Sequence, residues 1–305
     1  MASFLYHIAE TIARFQGHKK VFSLKAPEFS HYVECHKNTQ KKDPPRFIAK
    51  GYLLSTKKIQ QRPCYVLSPR NPEPVKKVVL FLHGGGFIFE MHWTHWSVVS
   101  KLVDKLSIPV WVPAYPLLPD NELLKIVEMI FAVYADMRKQ YPEADIIFLG
   151  DSAGANLALS FCHHNKKLSN LLPMPDRLIL VSPAMATERD PVILEEMRRI
   201  EPFDIMLSPQ LMESMTNVFH LDPSYENYFS APLYGDFCGF PPLSVFAGTH
   251  DSFFPQIPRF VERVRSDGIP VEFIRGEGMM HVWPYIPVAK ECTSALSKIF
   301  YEIRR

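Results

Sequence analysis

Gly150-Asp151-Ser152-Ala153-Gly154 decides the fold of this chain because of the residues on either side of it. The apolar run Ile146-Ile147-Phe148-Leu149 precedes it and predicts a buried strand, and a helical pattern follows it. A serine between a strand and a helix lies at the tip of a turn that only small flanking residues allow. The sequence therefore predicts that the Ser152 hydroxyl projects from the C-terminal edge of a sheet.

A second strand, Val78–Leu82, ends in the glycine run His83-Gly84-Gly85-Gly86-Phe87. Three successive residues without side chains let the backbone approach another group closely. Acyl transfer from an ester passes through a tetrahedral intermediate whose negatively charged oxygen needs preorganised N–H donors. We predict that Gly85, Gly86 and the amide of Ala153, at the start of the next helix, supply these donors. The alternative is a plain glycine loop.

A nucleophilic serine also needs a base and a carboxylate that orients the base. After a turn of this type, the partners follow the serine in the order acid, then histidine. Asp251 follows the predicted strand Leu243–Ala247, and His281 lies in the loop after the predicted strand Val271–Arg275. Both residues therefore stand at the C-terminal ends of strands, where open α/β sheets keep their sites. We predict a catalytic triad of Ser152, Asp251 and His281.

Other carboxylates compete with Asp251 for this role, namely Asp204, Asp236, Asp267 and Glu277. Asp267 is typical of a helix-ending turn, and Glu277 precedes the histidine too closely in the sequence. The alternative for Asp251 itself is a solvated residue that caps the following helix.

These residues and several later motifs resemble the hormone-sensitive-lipase-like branch of the α/β-hydrolase esterases, over about residues 75–290. The ordered motifs are His83–Phe87, Tyr115–Asp120, Gly150–Ala158, Leu180–Pro183, Ser230–Leu233, Pro241–Leu243 and Gly278–His281. The resemblance implies an esterase with Ser152 as nucleophile, Asp251 as acid and His281 as base, and an oxyanion loop on Gly85 and Gly86. It favours short to medium acyl chains as substrates. The mechanism requires no metal and no organic cofactor.

The chain departs from the family pattern at three places that shape the pocket. Phe89–Trp93 crowds the stretch after the glycine loop, Pro116 replaces the usual arginine, and Ser252–Pro255 is apolar where a second acid is common. Two other functions stay open. One is an amide hydrolase or deacetylase with the same triad. The other is a catalytically silent small-molecule receptor of this fold, against which the complete triad argues.

The composition is typical of a globular enzyme. A chain of 305 residues with 47% hydrophobic content can bury a sizeable core. The net charge of +2 argues against a nucleic-acid surface, and the locally basic run Lys37–Lys42 is expected to be a solvated loop. The five cysteines are odd in number and form no Cys-x-x-Cys pair, which argues against a disulfide framework and a structural zinc site.

The sequence also suggests where the protein works. Met1–Lys20 lacks the basic start and continuous apolar core of a signal peptide, and no window of 18 uninterrupted apolar residues predicts a membrane span. We expect a cytoplasmic protein with a small-molecule ester as its partner. Whether it forms a homodimer is left open.

Alternating strands and helices predict an α/β fold, the α/β-hydrolase fold, with a mostly parallel eight-stranded sheet flanked by helices. The predicted strands are 46–56, 63–68, 77–82, 108–114, 145–149, 177–181, 243–247 and 271–275, and the predicted helices are 96–106, 122–140, 153–164, 256–266 and 287–302. Residues 1–45 and 187–228 do not fit this alternation. We predict that they form a helical cap over Ser152, and that residues 46–186 and 229–305 form the catalytic core. The alternative is a packed subdomain that does not contact the substrate.

Overall fold

The computed structural model describes residues 3–15, 17–40, 43–70, 74–184, 188–219, 227–286 and 289–305. Within these ranges, eight strands form one sheet in the order β1-β2-β4-β3-β5-β6-β7-β8. The strands are β1 (Leu53–Ile59), β2 (Arg62–Ser68), β3 (Lys77–Leu82), β4 (Val110–Pro113), β5 (Asp145–Asp151), β6 (Arg177–Val181), β7 (Leu243–Gly248) and β8 (Val271–Gly276). The β1–β2 and β2–β4 pairs are antiparallel and the remaining pairs are parallel. The predicted sheet is confirmed.

Helices cover both faces of this sheet. They are α1 (Phe4–Phe15), α2 (His18–Phe22), α3 (Ala26–His36), α4 (Arg46–Gly51), α5 (Trp93–Leu106), α6 (Leu123–Gln140), α7 (Ala153–Lys167), α8 (Pro191–Ile200), α9 (Gln210–Phe219), α10 (Gln256–Ser266) and α11 (Lys290–Arg304). Side chains of a strand alternate between the faces, so Val78 and Leu80 pack with α6, α7 and α10, whereas Val79 and Phe81 pack with α5 and α11. The core therefore lies in two layers. Residues 287 and 288 of the last predicted helix lie outside the described residues.

The prediction of a strand over residues 46–56 is wrong in its first half. The chain forms α4 there, and β1 begins only at Leu53. Pro44 and Pro45 precede the helix and lack the N–H groups that a strand donates to its neighbour. A helix begins without using those groups, and α4 buries Ile48 completely.

At its other end β1 is longer than predicted. It continues to Ile59, which pairs with Arg62 across a two-residue hairpin turn. Gln60 and Gln61 form this turn, with φ angles of 48° and 65°. Two positive φ angles match the right-handed twist of the flanking strands.

The two segments predicted as a cap pack against each other. The Lys19 ammonium donates to the Asp204 carbonyl at 2.7 Å, and the Ser214 hydroxyl donates to the Leu24 carbonyl at 2.7 Å. Helices α3 and α9 are also in contact. Residues 187 and 220–226 of the second segment lie outside the described residues.

Four parallel strands end at one edge of the sheet. Leu82 of β3 pairs with Gly150 of β5, and Gly248 of β7 pairs with Gly276 of β8. The loops that carry the glycine run, Ser152, Asp251 and His281 therefore leave the same edge of the sheet, with β6 between β5 and β7.

Candidate active site

Ser152 lies in a backbone conformation that L-residues rarely adopt, with φ 49° and ψ −118°. Such a conformation costs about 1–3 kcal/mol and persists only where the surroundings enforce it. Close packing enforces it here, because a Cβ at Gly154 would lie 1.9 Å from the Leu82 carbonyl oxygen. A Cβ at Gly150 would lie 2.5 Å from the Gly154 carbonyl carbon. The start of α7 therefore crosses the ends of β3 and β5 at a distance that only glycine permits.

Asp251 and His281 are in direct contact. The two side chains are buried, and His281 Nδ1 lies 2.6 Å from Asp251 Oδ2. The other carboxylate oxygen of Asp251 accepts the Phe253 N–H at 2.9 Å. His281 Nε2 is buried without a hydrogen-bond partner among the described residues. His281 and Ser152 line the same cavity.

Two opposing effects set the pKa of His281. Burial lowers the pKa, because it disfavours the charged imidazolium. The negative charge of Asp251 and its hydrogen bond to the ring raise the pKa, and together they prevail. The pKa of His281 therefore lies above its usual value of 6.5.

Asp204 is a second buried carboxylate beside Asp251, and it accepts hydrogen bonds from backbone N–H groups rather than from a histidine. Its Oδ1 accepts the N–H groups of Met206 and Leu207 at 2.8 Å each, and its Oδ2 accepts the Ser252 N–H at 2.6 Å. Burial and the charge of Asp251 raise the pKa of Asp204. Asp204 thus fixes the loop that follows Asp251.

The remaining candidate carboxylates have other surroundings. Asp236 contacts the Lys166 ammonium at 2.7 Å, and Asp267 accepts the Phe237 N–H at 3.0 Å. Glu277 is exposed. Of the five carboxylates considered, Asp251 is the one that contacts His281.

The glycine run lies against the serine turn. A Cβ at Gly84 would lie 2.2 Å from Asp151 Oδ2, so a larger residue would push the two loops apart. Gly85 and Gly86 have φ angles of 115° and 60°, and both line the cavity. Ala153 also lines it and is the first residue of α7, so its N–H has no carbonyl one turn earlier in the helix. The positive end of the α7 dipole also lies here and favours a negative charge beside these N–H groups.

Tyr115 and its neighbours hold both ends of the glycine run. The Tyr115 hydroxyl donates to the His83 carbonyl at 2.5 Å, and the two rings stack at 4.2 Å. The Leu118 N–H donates to the Phe87 carbonyl at 2.9 Å. Burial lowers the pKa of His83 to about 4, so this ring is neutral at physiological pH.

Sequence reasoning missed two supporting contacts. His95 Nε2 lies 3.2 Å from the buried carboxylate of Asp151, the residue before the serine. The Met280 N–H donates to the Tyr6 hydroxyl at 2.5 Å, directly before His281. Asp151 stands inside the Gly150–Gly154 motif, where a carboxylate next to a buried strand indicates a hydrogen-bond donor nearby. Tyr6 carries no comparable signal.

The cavity over these groups has a volume of about 1680 Å³ and a mostly apolar lining. Side chains of the two predicted cap segments form much of its wall, including Val21, Phe22, Leu211, Met212 and Met215. Among the described residues, no cluster of three or more His, Cys, Asp or Glu side chains could hold a metal ion. None of the described helices is long and apolar enough to cross a membrane.

A family model described as alpha/beta hydrolase fold matches residues 79–285. The chain is similar to an esterase from Acinetobacter venetianus, with 27% identity over 251 residues that cover 79% of this chain and 81% of the relative. It is also similar to a triacylglycerol lipase from Mycobacterium tuberculosis, with 25% identity over 69% of this chain. That alignment covers 43% of the lipase, so the chain spans less than half of that relative.

Solved structures share the fold at low sequence identity. An esterase from the bacterial hormone-sensitive lipase family superposes with a TM-score of 0.79, at 20% identity, over 100% of this chain and 98% of that one. EstE5, which was soaked with p-nitrophenyl butyrate, superposes with a TM-score of 0.78, at 18% identity, over 99% and 98%. These matches agree with the resemblance found in the motifs.

Proposed function

Because the chain belongs to the family of proteins with the alpha/beta hydrolase fold, we propose that it is a serine carboxylesterase acting on short to medium acyl esters. One observation carries this proposal. The buried hydrogen bond of 2.6 Å between His281 and Asp251 lies at a cavity that Ser152 also lines. The esterase and lipase names of the relatives support the reaction class.

In the first step, Ser152 Oγ attacks the ester carbonyl carbon while His281 Nε2 takes its proton. Asp251 accepts the Nδ1–H of the ring and stabilises the imidazolium that forms. The carbonyl oxygen becomes an oxyanion, which the N–H groups of Gly85, Gly86 and Ala153 stabilise. His281 then gives its proton to the departing alcohol, and an acyl group remains on the serine.

In the second step, His281 takes a proton from a water molecule that attacks the acyl-enzyme. The same N–H groups stabilise the second oxyanion. Breakdown of this intermediate releases the carboxylic acid and returns the proton to Ser152. The nucleophile, the base, the acid and the oxyanion donors of both steps are groups of the chain.

The lining of the cavity supports an apolar acyl group. We propose that residues 1–45 and 187–228 form a cap on a core of residues 46–186 and 229–305, because side chains of both segments line the cavity. A cap that excludes water strengthens the electrostatic contacts of the site. The cytoplasmic location and the oligomeric state stay predictions.

A fluorophosphonate probe and p-nitrophenyl esters test this proposal. We expect the probe to label the wild-type chain, and we expect Ser152→Ala to abolish both the labelling and the hydrolysis of p-nitrophenyl butyrate. Ser297→Ala, an exposed position on α11, is the matched control and should change neither. A series of acyl chain lengths, paired with the corresponding anilides, then separates an esterase from an amide hydrolase. Labelling that persists in Ser152→Ala would contradict the proposed nucleophile.

A further inference from the structure

The outward side of α1 carries exposed apolar residues in one arc. At 100° per residue, Phe4, Leu5, Ile8, Ile12 and Phe15 fall within about 100° of the helix circumference. Their exposed fractions are 78%, 52%, 41%, 58% and 85%. We call these five residues the docking face. Single exposed apolar residues are ordinary, whereas a contiguous apolar face marks an interaction surface.

The opposite side of α1 fixes the helix to the fold. Tyr6 is fully buried, and its hydroxyl accepts the Met280 N–H at 2.5 Å. The Ser3 hydroxyl donates to a Glu291 carboxylate oxygen of α11 at 2.9 Å. Because these contacts hold the inward side, α1 cannot roll to bury the docking face without breaking them.

The docking face is continuous with the mouth of the catalytic cavity. Leu5, Ile8 and Ile12 are exposed and also line the cavity. Trp93, at the start of α5, lines it too and is 50% exposed. An apolar surface therefore leads from the outside of the protein into the cavity that Ser152 lines.

Positive charge is concentrated in the same part of the chain. Residues 1–50 contain nine Lys or Arg and four Asp or Glu, a net charge of +5, whereas the remaining residues contain 25 and 28, a net charge of −3. Arg14 on α1, Lys20 on α2, and Arg46 and Lys50 on α4 are exposed. Arg46 also lines the cavity.

Acidic side chains in this region do not cancel that charge. They are Glu10 on α1, Glu28 and Glu34 on α3, and Asp43, Glu90 and the buried Asp151 in the lining of the cavity. Asp43 accepts a hydrogen bond from the Tyr65 hydroxyl at 2.9 Å, and Glu90 lies 3.7 Å from the Arg62 guanidinium. Across residues 1–50, basic residues outnumber acidic ones by five.

We propose that the docking face and the basic side chains beside it bind an anionic lipid surface. The apolar side of an amphipathic helix enters the boundary between headgroups and acyl chains, and Lys and Arg are attracted to anionic headgroups. Binding itself does not depend on hydrolysis. Entry of a lipid ester from that surface into the cavity rests on the proposed function.

Vesicle flotation of the full chain carrying Ser152→Ala measures binding without turnover. We expect the protein to float with vesicles of phosphatidylcholine containing about one third phosphatidylserine, and to bind vesicles of phosphatidylcholine alone at least about tenfold more weakly. Phe4→Asp with Phe15→Asp should lower the affinity for the anionic vesicles by at least about tenfold. Lys20→Gln should lower it roughly fivefold.

Matched changes on the opposite edge of the sheet serve as controls. Leu171→Asp lies in the loop before β6 and alters a side chain that is 69% exposed, and Lys139→Gln lies near the end of α6. Both controls should retain vesicle binding. Phe4 and Phe15 lie outside the lining of the cavity, so their variants should hydrolyse a soluble ester at the wild-type rate.

Three outcomes would overturn the proposal. The first is equal binding to neutral and anionic vesicles, and the second is unchanged binding after Phe4→Asp with Phe15→Asp. The third is a wild-type chain that is dimeric and binds no vesicles, and that becomes monomeric with the same double change. The last outcome would make the docking face an interface between two copies. Vesicle binding together with a wild-type chain that hydrolyses no ester would instead refute the proposed function alone.

Discussion

Replacing Asp251 by asparagine tests how the carboxylate controls the proton of His281. In the wild-type structure, one carboxylate oxygen accepts the Phe253 N–H at 2.9 Å and the other lies 2.6 Å from His281 Nδ1. Asparagine has only one acceptor oxygen. If that oxygen turns to His281, the amide group faces the Phe253 N–H, and two donors meet in a buried place at a cost of roughly 1–3 kcal/mol.

The favoured orientation therefore leaves the oxygen with Phe253 and the amide group facing His281 Nδ1. That nitrogen must then be the unprotonated one, so the ring proton moves to Nε2, the atom that has to accept the serine proton. The imidazolium also loses the charge that stabilises it. We expect Asp251→Asn to lower kcat for p-nitrophenyl butyrate about ten-thousandfold, which corresponds to about 5 kcal/mol, with little change in KM.

The pH profile gives a second measurement on the same pair. In the wild-type chain, kcat/KM should fall as the pH drops through the raised pKa of His281, because the protonated ring cannot act as a base. Without the charge of Asp251, the pKa of His281 loses its main raising influence and only the weaker effects of Asp204 and Asp151 oppose burial, so the acid limb of the residual activity should move to lower pH. Wild-type activity that is unchanged down to about pH 4 would contradict the assignment of the base.

Asp204→Asn is the matched control, since Asp204 is equally buried beside Asp251 but accepts backbone N–H groups. It should lower the free energy of unfolding by roughly 1–3 kcal/mol and change kcat by less than about tenfold. A ten-thousandfold loss in both variants would mean that loop position, and not the proton on His281, limits the reaction. Retention of a tenth of kcat in Asp251→Asn would refute the argument directly.

Two further substitutions test the packing beneath the serine. Gly154→Ala places a methyl group 1.9 Å from the Leu82 carbonyl oxygen. It should therefore lower both the free energy of unfolding in urea, by roughly 1–3 kcal/mol, and kcat. In the control Gly51→Ala, the methyl group meets no atom within 4 Å, so neither quantity should change. His95→Phe removes the hydrogen bond to the buried Asp151 and should lower the free energy of unfolding by roughly 1–3 kcal/mol together with kcat, with KM little changed. Wild-type stability in either test variant would contradict the corresponding contact.

The sequence predicts the sheet edge well because the relevant signals are local. A buried strand followed by a turn residue is visible over about ten positions, and parallel strands bring their C-terminal ends together. Asp251 and His281 could be placed by this reasoning, although they are 30 residues apart. The contact of Tyr6 with Met280 spans 274 residues and leaves no local pattern.

The predicted end of β1 is wrong because the turn that follows it also lacks a local sequence signal. The hairpin at Gln60 and Gln61 uses positive φ angles without the glycine or asparagine that usually announces them. The apolar periodicity of α1 can be read from the sequence, but the partner against which the helix packs cannot. In the structure, Tyr6 and Ala9 of α1 are buried, whereas Leu5, Ile8 and Ile12 line the cavity and stay exposed. Which side of an amphipathic helix is buried depends on its partner, and the partner here is α11, nearly 290 residues away.

Backbone contacts fix the half of the site around Ser152, whereas apolar side chains form the opposite wall. The catalytic rate and the substrate specificity therefore depend on different residues. Around Ser152, the positions are fixed by backbone contacts that leave no room for a Cβ, as at Gly84 and Gly154, and by the buried carboxylate of Asp151. Changes there displace the reacting atoms, and displacements of about 1 Å are enough to lower kcat strongly. The opposite wall consists of apolar side chains on short helices, among them Met212 and Met215, which exchange for other apolar residues at little cost. Substitutions in that wall should therefore alter which acyl group fits while the chemistry at the sheet edge continues.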